Sequence, residues 1–199
     1  MSIPLYDDAV LDKLKGVFSN VVFSAPDKAF KRSAERKGLK GSADDVDVDL
    51  PLISVYRENY TVDMDRNNPR FRRRGRKIRN SDDDSRAVMA EALPVRIDYQ
   101  LDVWGKRRRE LDVLVGELLF WMLDNPKVSL NLGGEFEDYS PEFNWKLEDV
   151  TDNSDIMSFS DRGKYYRVTI PFYFDEAMIF RYDKLKTVMD VDIELSLEE

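Results

Sequence analysis

Eight cations crowd residues 66–79, RNNPRFRRRGRKIR: Arg66, Arg70, Arg72, Arg73, Arg74, Arg76, Lys77 and Arg79. Guanidinium and ammonium groups at this density bind carboxylates or phosphates. Only one aromatic, Phe71, stands among them, so the segment lacks the interleaved rings on which single-stranded bases stack. The chain carries counter-charges of its own in Asp44, Asp45, Asp47 and Asp49, and again in Asp82, Asp83 and Asp84. Three readings stay open. The basic segment can meet acidic segments of a neighbouring subunit, it can be a solvated loop, or it can contact nucleic-acid phosphates.

Carboxylates are the other groups capable of chemistry. Asp45, Asp47 and Asp49 alternate with Val46, Val48 and Leu50. A calcium loop would add a glycine and a distal glutamate at set positions, and neither is placed for it. A strand edge kept soluble by charge fits better. Glu135, Glu137 and Asp138 follow the turn residues Gly133 and Gly134, with no Lys close by in sequence to tune them. That Gly pair is not a phosphate loop, because no GK[ST] follows. The chain has no Cys and no His. Thiol nucleophiles, disulfides, imidazole or thiolate zinc sites and every Ser-His or Cys-His dyad are thereby excluded. The expectation is a protein that is not an enzyme, with no catalytic residues, no cofactor and no metal.

Length and composition bound the rest. The chain has 199 residues, 42% of them hydrophobic, enough for one large domain with a genuine core. A net charge of −8 argues against nonspecific nucleic-acid binding by the whole surface, though not by a local patch. No run approaches the roughly 18 apolar residues of a membrane span. The opening MSIPLYDDAVLDKLK is acidic early and lacks the apolar core of a signal peptide. The protein is expected in the cytosol, or assembled there into a particle.

The elements that must position these groups centre on residues 94–123. Val95, Ile97, Tyr99, Leu101 and Val103 alternate with Arg96, Asp98, Gln100 and Asp102, the period of a half-buried strand. The period then switches. Leu111, Leu114, Val115, Leu118, Leu119 and Met122 form one helical stripe, ended by Asn125-Pro126. The strand face should meet the helix stripe. Upstream, 7–18 reads as a helix with Asp7 as N-cap and Val10, Leu11, Leu14 and Val17 or Phe18 inward. Val21–Phe23 reads as a short strand, 27–45 as a loop with a helical turn, and Leu50–Tyr56 as a strand with Pro51 at its start. Residues 63–93 have no apolar period and read as a long hairpin or arm, with a helical turn over 87–93. Downstream, Val128/Leu130/Leu132 and Phe143/Trp145/Leu147 alternate, 149–161 is an acidic loop, and 165–174 is a strand in which Pro171 marks a bulge or an edge. Trp104, Trp121 and Trp145 are expected in the core or an interface. The tail, 183–199, reads as an added strand or a segment ordered by a partner. Residues 1–199 thus form a single α+β domain. Its sheet is mostly antiparallel, with helices packed on one face, an arm at about 63–93 and a C-terminal extension.

Residues 99–122, YQLDVWGKRRRELDVLVGELLFWM, resemble the bacteriophage tail terminator or tail completion (neck) family, in which a YQIDVWA-type strand enters a charged turn and a helix that crosses the sheet. The final strand, GKYYRVTIPFYFDE, resembles that family's closing strand, and an N-terminal helix before an LPLISVY-type strand follows the same order. The resemblance covers about 5–60, 94–150 and 160–176. It implies a structural virion protein that forms a ring, typically a homo-hexamer, on the last ring of the tail tube. Such a ring ends tail polymerisation and offers a surface to the head–tail connector or neck protein. Its partners would be its own copies, the tail tube protein and, in a contractile tail, the sheath protein, with DNA at most passing through the lumen. The basic arm is longer than the plain family pattern. Ring contacts are heterologous and need two complementary patches on one chain; the eight cations of 66–79 and the aspartates of 44–49 and 82–84 are such a pair. The alternatives are another virion subunit (connector or baseplate), or a nucleic-acid-binding module acting through 66–79.

Overall fold

In the computed structural model the described residues are 3–29, 50–62, 76–79, 87–90, 92–132, 140–154, 165–180 and 186–188. Helix α1 spans Ile3–Lys15 and buries Ile3, Tyr6, Val10 and Leu14. It begins a full turn before the expected Asp7 cap. Pro4 explains this, since its fixed φ and missing donor suit a first helical turn. Asp7 lies inside the helix; of the expected Val17 or Phe18, Val17 is exposed and Phe18 packs against the core.

The next elements are β1, Val21–Phe23, a 3-10 turn at Pro26–Lys28, and β2, Leu52–Val62. Strands β3, Arg76–Arg79, and β4, Ala87–Ala90, follow. Then come β5, Ala92–Gly105, and helix α2, Arg108–Asp124. Strands β6 (Lys127–Ser129), β7 (Glu142–Leu147), β8 (Thr151–Asp152), β9 (Tyr166–Phe180) and β10 (Lys186–Val188) complete the chain order.

The main sheet has seven strands in the order β1-β2-β5-β9-β7-β6, with β8 also on β9. It is mixed: β1 and β2 are parallel, and every other pair is antiparallel. The fold is therefore α+β and strand-rich. A separate three-stranded sheet runs β10-β4-β3. Within the expected arm, Arg76–Arg79 pair antiparallel with Ala87–Ala90; 63–75, 80–86 and 91 lie outside the described residues. The helical turn expected at 87–93 is not there. Residues 87–90 and 92–105 are strands, because pairing with β3 and β9 outweighs the helix preference of Ala and Met. The tail contributes Lys186–Val188 to β4.

The expected core is in place. Val95, Ile97, Tyr99, Leu101 and Val103 share one buried cluster with Leu111, Val115, Leu118 and Met122 of α2 and with Tyr6, Val10 and Leu14 of α1. Both helices thus cover one face of the sheet. Tyr99 stacks on Phe172 with centroids 5.2 Å apart. Tyr6 fastens α1 to the far end of β9: its hydroxyl donates to the Met178 carbonyl at 3.2 Å and accepts from the Met178 amide at 2.8 Å. The Trp145 indole donates to the Met122 carbonyl at 2.9 Å, tying β7 to the end of α2. At the turn between β5 and α2 a Cβ on Gly105 would stand 3.3 Å from the Leu111 Cβ, so glycine permits this close crossing.

Pro171 sits well inside β9, opposite Gln100, not at an edge. Its carbonyl accepts from the Glu148 amide. An antiparallel residue points its N and O the same way, so the missing donor faces the gap between β7, paired to Phe172–Phe174, and β8, paired to Val168 and Thr169. No ladder bond is lost.

Candidate functional site

The opposite face of the sheet carries a polar network that alternation alone would leave in water. Ser54, Asp102 and Thr169 lie side by side across β2, β5 and β9. Asp102 is fully buried. Its carboxylate accepts from Gln100 Nε2 at 2.9 and 3.0 Å, from Arg167 Nε at 2.9 Å and from Thr169 Oγ1 at 2.7 Å. Arg167 Nη2 adds an ion-pair contact at 2.9 Å. The guanidinium of Arg167 also lies 5.1 Å from the Trp104 ring centroid. Trp104 donates to Ser54 Oγ at 3.2 Å and packs with Val22, Ala29 and Leu52 in a second apolar cluster. Tyr56 donates to Gln100 Oε1 at 2.9 Å. Burial and neighbouring Glu58 push the Tyr56 hydroxyl up to about 12, so it stays a neutral donor.

Both oxygens of Asp102 accept hydrogen bonds in a buried setting, which suits structural anchoring. The motif residues of QLDVW therefore split between faces. Leu101 and Val103 enter the helix-covered core, while Gln100, Asp102 and Trp104 build the network behind it.

Farther along the same face the sheet bends. β2 has a bulge at Glu58, between Arg57 and Asn59. The β5–β9 register shifts between Val95 and Ile97. Bulges twist and bend a strand, and here they set Glu58 and Asp175 around an open depression of about 410 Å³ with Arg96, Asp98 and Glu148. Arg96 bonds Asp98 at 2.6 Å, reaches Glu148, and lies 3.8 Å from the Tyr173 ring centroid. The hydrogen bond to Asp98 is the main reason its guanidinium is held above its ordinary value. Asp175 also pairs with Lys146 at 3.1 Å, so four carboxylates against two cations leave the depression acidic.

Asp7, expected as a helix cap, instead joins α1 to the sheet. It accepts from the Tyr99 hydroxyl at 2.8 Å and from Arg57 Nη1 at 2.9 and 3.1 Å. Burial nonetheless raises its carboxyl above 3.8, outweighing the Tyr99 bond and Arg57. A raised folded value means that the fold binds this proton more tightly than the unfolded chain does. The contribution of Asp7 to stability is then greatest at low pH and declines as pH rises through the folded value. Urea unfolding from pH about 4 to about 7 should show the parent losing stability relative to Asp7→Asn. A constant difference would contradict this.

Helix α2 turns a second apolar stripe away from the core. Val113, Phe120 and Leu123 are 57%, 71% and 63% exposed. The expected helix stripe accounts for the inner face only. The outer one was legible as a second series, Val113, Phe120 and Leu123, at spacings of seven and three.

Of the expected interface residues, Arg76, Lys77 and Arg79 lie in β3, opposite Ala90, Met89 and Ala87. Arg66, Arg70, Arg72, Arg73, Arg74, Asp44, Asp45, Asp47, Asp49, Asp82, Asp83 and Asp84 lie outside the described residues, as do Glu135, Glu137 and Asp138. Among the described residues no group of three or more carboxylates is arranged to hold a metal ion, and no helix is long and apolar enough to cross a membrane. Neither a scan of protein-family models nor a search of curated proteins finds a match for this chain.

Proposed function

We propose that this chain is a structural virion protein of a phage tail: a tail terminator or tail completion subunit that closes into a ring, a hexamer in the family it resembles. The ring caps the tail tube, and the sheath if the tail contracts, and presents the surface to which the head–neck connector joins. The observation that supports this reading is the strand–turn–helix unit. β5 runs through Gly105 into α2, which folds back across β5 and β9, in the order that the YQLDVW resemblance implies. A buried carboxylate hydrogen-bonded through both oxygens at the heart of that motif fits a scaffold rather than a reaction centre.

The charged arm is the proposed contact between subunits. Arg72, Arg73, Arg74 and Arg76 of one copy meet carboxylates of the next, in Asp44–Asp49, in Asp82–Asp84, or in the acidic depression around Arg96. Single exposed pairs contribute little, but a network repeated around a ring accumulates and is screened by salt. Mass photometry and negative-stain imaging should show rings that dissociate as salt rises. Replacing the four arginines by Ser should leave the fold intact and weaken ring formation. A strict monomer at every salt and concentration, with no ring in the virion, would defeat the proposal. Tight DNA binding lost in the same variant, with assembly intact, would favour the nucleic-acid reading.

A further inference from the structure

We infer that the outer face of α2 is a self-docking surface that pairs antiparallel with the same helix of a second copy. The outward residues Arg109, Val113, Gly116, Phe120 and Leu123 are spaced four, three, four and three apart, the heptad seam of a coiled coil. The inward residues Leu111, Val115, Leu118 and Met122 follow a like spacing and are covered by the sheet. The helix thus has two seams and, among the described residues, one partner.

Register and charge identify the occupant. Antiparallel pairing about a two-fold axis at the level of residue 118 sets Val113 against Leu123 and Phe120 against Gly116. A Cβ on Gly116 would meet nothing within 4 Å, so the glycine leaves a recess where the most exposed ring of the partner can enter. The charges of α2 run in part against its own dipole, although Glu110 lies in its first turn. Arg107, Arg108 and Arg109 stand at its positive end, and Asp124 at its negative end, with no basic residue in the last turn. Arg107 and Arg108 have acidic partners in Glu110, Asp112 and Asp152. Arg109 and Asp124 form no ion pair among the described residues. An antiparallel second copy brings Asp124 and the negative helix end within an arginine's reach of Arg109. At ~1.5 Å per residue the two differ by only ~4.5 Å along the axis. Because both positions occur twice across the axis, the contact is isologous and closes at two copies. It is separate from the heterologous contacts of a ring.

The test uses the full chain in sedimentation equilibrium, with folding checked by circular dichroism. The parent should show a dimer whose dissociation constant rises with salt. Phe120→Asp, at a 71% exposed position, should stay folded and raise that constant at least about 30-fold, as loss of a central aromatic anchor does. Arg109→Asp and Asp124→Arg should each weaken the dimer, and the double exchange should restore it. A parent that is monomeric at every concentration tested would overturn the inference. So would a dimer indifferent to Phe120→Asp, or a charge exchange without rescue. Rings lost on Phe120→Asp with no dimer step would also overturn it, by assigning this face to a ring neighbour. Serine replacement in the basic arm changes no residue of α2, so failure of the ring proposal reads out separately.

Discussion

Asp102→Ala should destabilise the protein by about 3–5 kcal/mol, the largest loss expected from any single polar substitution here. The removed carboxylate is fully buried, and its main partner Arg167 keeps only 12% of its side chain exposed. Truncation leaves that guanidinium desolvated and unpaired. It also strips an acceptor from Gln100 and Thr169. The attraction within a buried pair is largely spent on desolvation, so exchanging both partners for apolar groups is far cheaper than removing one. Asp102→Leu combined with Arg167→Met should therefore recover most of the loss. Urea denaturation of the three variants is the measurement. A loss below about 1 kcal/mol in Asp102→Ala would mean that water reaches Arg167 and the network is not closed.

Leu118→Ala should cost about 2–5 kcal/mol. Leu118 has no exposed surface and lies at the middle of the α2 stripe, over the β5 face formed by Ile97, Tyr99 and Leu101. The methyl groups it loses leave a void that a rigid sheet on one side cannot refill, so a cavity cost adds to the transfer cost. Thermal or urea unfolding decides it, and a change within about 0.5 kcal/mol would place the stripe outside the core.

The core was legible because both of its faces announce their periods, two along β5 and about 3.6 along α2. The same alternation did not show that Asp102 is covered. Pattern reports which way a side chain points, not what covers it, and Trp104, Arg167 and Thr169 come from other positions in the sheet to do so. The presence of Trp104 in the outward phase was the available signal, since a solvent face rarely carries an indole. The start of α1 was misplaced for a local reason, because Asp7 looks like a cap only if the first-turn role of Pro4 is overlooked. The strand at 92–94 depends on β9, which no window of neighbours contains, whereas 87–90 pairs both with nearby Arg76–Arg79 and with distant Lys186–Val188. The interface residues drawn from the charge pattern fall largely outside the described residues. The exposed stripe of α2 was readable from its spacing, but one apolar series had already accounted for the helix.

The long β5–β9 ladder also constrains the order in which this chain can mature. Its nearest paired residues are Gly105 and Tyr166, and its farthest are Ala92 and Phe180. Loop closure on that scale slows barrier crossing. During synthesis β5 can find β2 early, yet one side of the central strand waits until β9 has left the ribosome. Over that interval the part of the α2 seam that packs on β9 stays uncovered, and a nascent chain in this condition is open to capture by a holding chaperone or to mispairing with another copy.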